Sequence, residues 1–144
     1  MEIEIIPFTL AGRAPARLET VRLTSADGHP QEAALSALAD ADLSPLVLHS
    51  TSWRHDSEGL VLTYAAVVLA PVAGARPVWR TPLARGTALA PPARIEEDQV
   101  AAHALVHLAW LAGHDAAVSA ALPRAWHEAL VEYVAADAVE ELAG

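Results

Sequence analysis

Residues 46–69 show the clearest alternation of apolar and polar positions in the chain. Leu46 and Leu48 mark one face before a polar break at 55–59, and Val61 begins a second alternating face after it. A repeat of two residues is typical of a β-strand, and the break, His-Asp-Ser-Glu-Gly, has the composition of a hairpin loop. The pattern therefore predicts two antiparallel strands joined by a tight turn.

The flanking segments predict further strands and helices. Residues 2–10 and 17–24 alternate as strands do, and Pro30 suits the first turn of a helix that reaches about Ala41. Later elements are predicted as a short strand near Val78 and Trp79, a helix over 95–112 ended by Gly113, a short helix over 116–122 capped by Asp115, and a helix after Pro123.

These elements predict an α+β domain that takes in residues 1–144. We expect a mainly antiparallel sheet of roughly four or five strands, covered by one helix from the N-terminal half and by a C-terminal helical layer. That layer is expected over about residues 95–142, with its apolar stripes on one face of the sheet.

Composition narrows the chemistry. The chain has no Cys and no Lys, which excludes disulfides, thiol nucleophiles, Schiff-base lysines and P-loop lysines. The net charge of −9 argues against nucleic-acid binding, because an acidic protein repels the phosphate backbone. The acidic N-terminus does not fit an export signal, and no apolar run is long enough for a membrane span. We therefore expect a cytoplasmic protein that binds neither nucleic acid nor membrane.

The segment GHPQEAALSALADADLSPLVLHSTSWRHDSEGLVLTYAAVV resembles the loop–helix–strand core of a Nudix domain. In that family a glycine-rich loop enters a helix with the pattern R-E-U-x-E-E-x-G-U, and the strands after it cover the substrate. Asp27-Gly28, the run from Glu32 to Leu35, and Leu43 fall near the corresponding places. The segments HSTSWR and LTYAAVV also resemble small uncharacterised proteins of high-GC bacteria, a similarity that implies no activity.

The metal-binding glutamates of the Nudix family have no counterpart here. Where the family has its R-E-U-x-E-E run, residues 36–41 are Ser-Ala-Leu-Ala-Asp-Ala. Those glutamates hold divalent cations, which requires several carboxylates on one face of the helix. Glu32 and Asp40 lie about 80° apart at about 100° per residue, and Asp42 lies elsewhere again. The resemblance therefore implies a Nudix-like scaffold that lacks the metal site.

A histidine pair is the second candidate for chemistry. His103 and His107 lie one turn apart on the predicted helix, and two imidazoles at this spacing can share a zinc ion. His127 or Glu128 could complete the metal shell. Ala104 stands where a hydrolytic H-E-x-x-H motif has its glutamate. The alternative interpretation is two partly buried, hydrogen-bonded imidazoles without a metal.

Polar residues in the first hairpin strand form the candidate ligand site. Period two places His49, Thr51, Trp53 and His55 on one face and Ser50, Ser52 and Arg54 on the other. Hydroxyl groups on an inward face indicate a cavity with a polar lining, whereas on an edge strand they would discourage aggregation. The predicted ligand-binding residues are His49, Ser50, Ser52, Arg54 and Tyr64.

These features favour a non-catalytic ligand-binding or interaction module, with a small molecule as its candidate ligand and no predicted cofactor or catalytic residue. The alternative is a metal-dependent enzyme or metal-binding protein in which His103 and His107 hold a divalent metal. A third alternative is a purely structural subunit of a larger assembly. Surplus apolar surface on the Ala-rich helices predicts a homodimer.

Overall fold

Six strands form one sheet in the part of the chain that the structure describes, and helices pack on both faces. The computed structural model describes residues 1–25, 29–57, 59–69, 74–78 and 92–143. The strands are β1 (Glu2–Ala11), β2 (Ala14–Arg17), β3 (Val21–Thr24), β4 (Pro45–Asp56), β5 (Gly59–Val68) and β6 (Arg76–Pro77). The helices are α1 (Pro30–Asp40), α2 (Pro92–His114), α3 (Ala116–Ala121) and α4 (Arg124–Ala143).

The sheet is mixed, because its central pair, β1 and β5, is parallel. In this pair Ile3 lies opposite Leu62 and Phe8 lies opposite Val67. The strand order is β4-β5-β1-β2-β6, with β3 pairing the first half of β1, and all of these other pairings are antiparallel. The predicted α+β class is confirmed. The prediction of a mainly antiparallel sheet with fewer strands is wrong.

Burial on both faces explains the parallel pair. Residues 3–9 of β1 are all buried, as are residues 63–68 of β5. Strands buried on both sides are typical of parallel sheets and have continuous apolar runs instead of a strict alternation. Residues 5–8, Ile-Ile-Pro-Phe, are such a run, so the alternation that begins β1 does not continue through it.

The predicted central hairpin is confirmed. β4 and β5 pair antiparallel from Pro45 opposite Val68 to Asp56 opposite Gly59. Gly59 has a φ of 129°, which glycine adopts readily and other residues adopt only with strain. The turn therefore depends on the glycine that ends the polar break in the sequence.

A β-bulge in β4 makes the predicted division of its polar side chains wrong. Ser50 lies opposite Tyr64 and Ser52 lies opposite Thr63, so Thr51 is an extra residue in the ladder. The alternation changes phase at this residue. His49, Ser52 and Arg54 share the face covered by α2, while Ser50, Trp53 and His55 share the face covered by α1.

Two apolar clusters, one on each face of the sheet, hold the helices in place. The cluster under α1 consists of Ile3, Ile5, Ala34, Leu38, Tyr64, Ala66 and Val68. The cluster under α2 and α4 includes Ile6, Phe8, Val67, Leu105, Leu108, Trp126 and Leu130. The predicted C-terminal helical layer over one sheet face is therefore confirmed.

Helix boundaries follow the local capping chemistry with one exception. α1 begins at Pro30, and Asp115 caps α3 by accepting a hydrogen bond from the Val118 N–H at 3.0 Å. Gly113 does not end α2, which continues to His114. None of the described helices holds a segment with the length and hydropathy needed to cross a membrane.

Two strand predictions need correction. The segment 17–24 contributes to two strands, β2 and β3, which pair with different halves of β1. Between them, the Leu18 N–H donates to the Pro7 carbonyl at 2.9 Å. The strand predicted near Val78 is β6, one residue earlier. Trp79 lies outside the described residues, as do Asp27 and Gly28 of the segment that resembles a Nudix loop.

Trp126→Ala is expected to lower the free energy of unfolding by about 3–5 kcal/mol, because Trp126 is 1 % exposed in the cluster under α2 and α4. The matched control, Trp53→Ala, removes the same side chain at 66 % exposure and is expected to cost less than about 0.5 kcal/mol. Urea unfolding followed by circular dichroism measures both variants. Equal losses of unfolding free energy in the two variants would contradict the position of Trp126 in the core.

Candidate functional site

The sheet divides the five predicted ligand-binding residues between its two faces. His49, Ser52 and Arg54 lie on the α2 face, whereas Ser50 and Tyr64 lie opposite each other on the α1 face. Tyr64 is 5 % exposed in the cluster under α1, and burial raises the pKa of its hydroxyl. The five residues do not line one pocket, and Tyr64 belongs to the core.

A buried carboxylate lies among the polar residues of the α2 face. Glu4 of β1 is 3 % exposed and accepts hydrogen bonds from Thr63 Oγ1 at 2.7 Å and from Arg22 Nη1 at 3.3 Å. Both η nitrogens of Arg54 donate to this carboxylate, Nη2 to Oε2 at 3.0 Å and Nη1 to Oε1. We call Glu4, Arg22, Arg54 and Thr63 the Glu4 cluster, which joins β1, β3, β4 and β5.

Burial would by itself raise the pKa of the Glu4 carboxyl. The hydrogen bonds from Arg54 and Thr63, with the positive charges of Arg54 and Arg22, outweigh burial and bring this pKa below its ordinary value. Glu2 lies 3.6 Å from Arg22, so two carboxylates face two guanidinium groups. The local charge is balanced, and the bidentate bond of Arg54 serves to hold the hairpin on β1.

Ring side chains form a row along α2 and across to β4. We call it the imidazole row, and it consists of His49, His103, His107, Trp110 and His114. The ring centroids of His49 and His107 are 6.1 Å apart, and those of His107 and Trp110 are 6.3 Å apart. Trp110 and His114 are stacked at 4.4 Å with an interplanar angle of 9°. The row connects the helical layer to β4, the strand that ends the sheet order on that side.

Two hydrogen bonds fix the tautomers of the outer histidines. His49 Nδ1 lies 2.9 Å from the Ser50 carbonyl oxygen, and His114 Nδ1 lies 2.8 Å from the Trp110 carbonyl oxygen. A carbonyl has no hydrogen to donate, so Nδ1 is the donor in both rings. In the neutral form of each ring, Nε2 is the nitrogen with the free lone pair.

His107 is the half-buried member of the row on α2. Burial lowers the pKa of His107, and the positive charges of His49 and His103 in their protonated forms lower it further. The charged form of His107 is thus disfavoured by its surroundings. The contacts that link the row are between rings.

The predicted metal pair lies one turn apart on α2, as expected, but its proposed partners are elsewhere. His127 Nε2 donates to the Ser119 carbonyl at 2.9 Å, and Glu128 pairs with Arg124 at 3.3 Å. Within the described ranges of the chain, no group of three or more His, Asp or Glu residues is arranged to hold a metal ion. His103 and His107 are therefore placed by this structure in the imidazole row.

The carboxylates of α1 do not form a cation site either. Glu32 and Asp40 are both exposed, while the buried face of this helix presents Ala34 and Leu38 to the sheet. Helix α1 serves as a cover for one sheet face.

Comparisons of the chain with protein-family models, with curated proteins and with solved structures each give no match.

Sequence reasoning missed Glu4 and the contact between His49 and His107. Alternation of Glu2, Ile3 and Glu4 predicts a wet face for both carboxylates, yet Glu4 is buried by its neighbours in β3, β4 and β5. The partners of Glu4 are two arginines and a threonine on other strands. These residues are far apart in the sequence and come together only in the folded sheet. The row along α2 was visible as a helical stripe, whereas its continuation to β4 was not.

Arg54→Ala is expected to lower the free energy of unfolding by about 2 kcal/mol near neutral pH, because the buried Glu4 charge loses its bidentate partner. The loss is smaller than for a fully buried pair, since the Arg54 side chain is 41 % exposed and solvent screens its charge. Arg124→Ala is the matched control, because its pair with Glu128 is at the surface, and no measurable change is expected. Urea unfolding measures the stability of both variants. An equal loss of unfolding free energy in the two would contradict the stabilising role of the Glu4 cluster.

The Glu4 cluster also predicts a loss of stability in acid. The folded-state pKa of Glu4 lies below its unfolded value, so its contribution is present above the unfolded pKa and is lost as the pH falls through the folded pKa. Glu4→Gln should reduce the dependence of the free energy of unfolding on pH, measured by urea unfolding from about pH 7 to about pH 3. Glu128→Gln, at an exposed site, should retain the wild-type slope. An unchanged slope in the Glu4 variant would show that other groups cause the acid sensitivity.

Proposed function

We propose that this protein is a non-catalytic binding module whose binding surface is the imidazole row. The ligand or partner is expected to present a planar aromatic ring, which stacks on or beside Trp110. This proposal retains the function expected from the sequence and moves the binding surface from the hairpin to the face formed by α2 and β4.

One observation supports the surface above all others. Trp110 is 48 % exposed although it is stacked on His114, and it is in ring contact with His107 on the same helix. Large aromatic side chains are enriched at binding surfaces, because they contribute a large contact area at a low cost in conformational entropy. A tryptophan held in place by neighbouring rings is already ordered before a ligand arrives, which lowers the entropic cost of binding.

The absence of a catalytic arrangement in the described residues supports a non-catalytic role. The buried carboxylate of Glu4 is engaged by two arginines and a threonine, and its pKa is lowered, so it is a poor proton donor near neutral pH. The carboxylates of α1 are exposed and form no metal group. Diphosphate hydrolysis of the Nudix type requires such a group.

Three further expectations stay predictions: a Nudix-like scaffold, a homodimer and a cytoplasmic location. The layered arrangement of α1, the sheet and the C-terminal helices is compatible with a scaffold of that kind. Val131 of α4, at 63 % exposure, is an apolar side chain that a second copy could cover. Light scattering at tens of micromolar protein measures the mass directly, and a monomer mass would exclude the dimer.

Binding at the row is tested by titration with adenosine and with N-acetyltyrosinamide, which distinguish a nucleoside from a protein side chain as the source of the ring. The four tryptophans give separate indole N–H signals in an ¹H–¹⁵N spectrum. Saturable shifts are expected at Trp110 and not at Trp53, which lies on the opposite sheet face. Trp110→Ala is expected to weaken binding by about 1–3 kcal/mol.

Trp53→Ala is the matched control for this titration and should bind as the wild type does. Absence of a shift at Trp110 with both probes would reject an aromatic ligand at this surface. Hydrolysis of nucleoside diphosphate sugars to a nucleoside monophosphate and a sugar phosphate in the presence of magnesium, above the background of buffer, would reject the non-catalytic assignment.

A further inference from the structure

The edges of the sheet differ in length and in charge. On one side the sheet ends in β6, which consists of Arg76 and Pro77, and in β3, which has four residues and carries the exposed Arg22. Short strands, charged side chains and proline prevent an edge from pairing with another chain. On the other side the sheet ends in β4, which has 12 residues. In the part of the chain that the structure describes, β4 pairs with β5 alone.

β4 lacks most of these protections. Residues 45–53 contain no Asp, Glu, Lys or Arg, and the only proline of the strand is its first residue. Trp53 is 66 % exposed and Leu46 is 36 % exposed. Ser50, between them, is exposed as well. A long edge strand with exposed apolar side chains and no charge is typical of strands that pair with a second chain.

The side chains of β4 are self-complementary about Ser50. The bulge sets Leu48, Ser50 and Trp53 on the face covered by α1, and His49 and Ser52 on the face covered by α2. In an antiparallel pair, residues that lie opposite each other share a face. A second β4, antiparallel to the first and with the two Ser50 residues opposite each other, meets this condition. It sets Leu48 opposite Trp53 and His49 opposite Ser52, in both directions.

We propose that β4 is the interface between two copies of this chain, which pair antiparallel about a twofold axis at Ser50 and join their sheets into one. The axis creates the pair of Leu48 with Trp53 twice, and an aromatic side chain opposite an aliphatic one stabilises a strand pair. Each copy has a net charge of −9, so two copies repel each other on average. Residues 45–53 let the copies touch without bringing like charges together.

The dimer is expected to be weak. Each copy contributes one strand edge and one large exposed side chain, which is less than the roughly 1,200 Å² that stable interfaces bury, and we expect a dissociation constant on the order of tens of micromolar. Unfolding measured at about 1 µM protein then reports the monomer, in which Trp53→Ala has little effect. The dimer is independent of ligand binding at the imidazole row, because Leu48 and Trp53 lie on the other sheet face.

Sedimentation equilibrium from about 1 to about 200 µM protein measures the association. The mass is expected to rise from the 15.1 kDa of one chain toward twice that value. Ser50→Lys places two positive charges at the axis and should raise the dissociation constant at least about tenfold. Ser36→Lys is the matched control, because it makes the same change at an exposed position of α1, and it should associate as the wild type does. If Ser50→Lys does not fold, Trp53→Ala is the second variant, with a rise of about tenfold expected.

The register is tested by cross-linking, because the chain has no Cys and one introduced thiol is unique. Ser50→Cys puts two thiols opposite each other at the axis, where the Cα atoms of an antiparallel pair lie within the roughly 4.4–6.8 Å that a disulfide spans. With diamide as the oxidant, at about 50 µM protein, this variant should form linked dimers at least about tenfold faster than Ser36→Cys. Val131→Cys, at the exposed apolar position of α4, should be as slow as Ser36→Cys.

Four results would overturn the inference. One is a monomer mass up to about 200 µM protein. The second is an equal dissociation constant for Ser50→Lys and Ser36→Lys. The third is an equal rate of cross-linking for Ser50→Cys and Ser36→Cys. The fourth is faster cross-linking of Val131→Cys than of Ser50→Cys, which would move the contact between the copies to α4.

Discussion

The parallel pairing of β1 with β5 is the contact on which the rest of the structure depends. Both strands are buried along most of their length, so apolar side chains must be covered on two sides of the sheet. Helix α1 covers one side and the helices after residue 92 cover the other. A tight turn cannot join parallel neighbours, so the chain between them has to return across the fold. The connection contains β2, β3, α1 and β4, which places β4 at the end of the strand order.

A carboxylate in such a strand is costly unless every lone pair is engaged. Glu4 meets this requirement through side chains from three other strands, at positions 22, 54 and 63. The cluster thereby links the edge hairpin to the centre of the sheet by polar bonds, in addition to the backbone ladder. Arg54, which the sequence places in a polar stretch, is therefore part of the framework of the sheet.

The parts of the fold that could be predicted from the sequence are those in which a local residue type decides the conformation. Pro30 at the start of a helix, Asp115 as a cap and Gly59 in a turn act within a few residues of themselves. The parallel pair could not be predicted, because the choice of partner depends on contacts about sixty residues apart in the chain. The bulge at Thr51 likewise has no residue type that would mark it in the sequence. Its one extra residue places Ser50 and Ser52 on opposite faces of the sheet, which divides the predicted site.

The two polar systems of the α2 face differ in the way they respond to solvent. In the Glu4 cluster opposite charges satisfy each other, and protonation of the carboxylate removes an attraction. In the imidazole row the contacts are between rings, and burial lowers the pKa of His107, so the surroundings disfavour the charged form of that imidazole. The first system thus holds strands together by charge, whereas the second leaves Trp110 half-exposed beside the ring of His114.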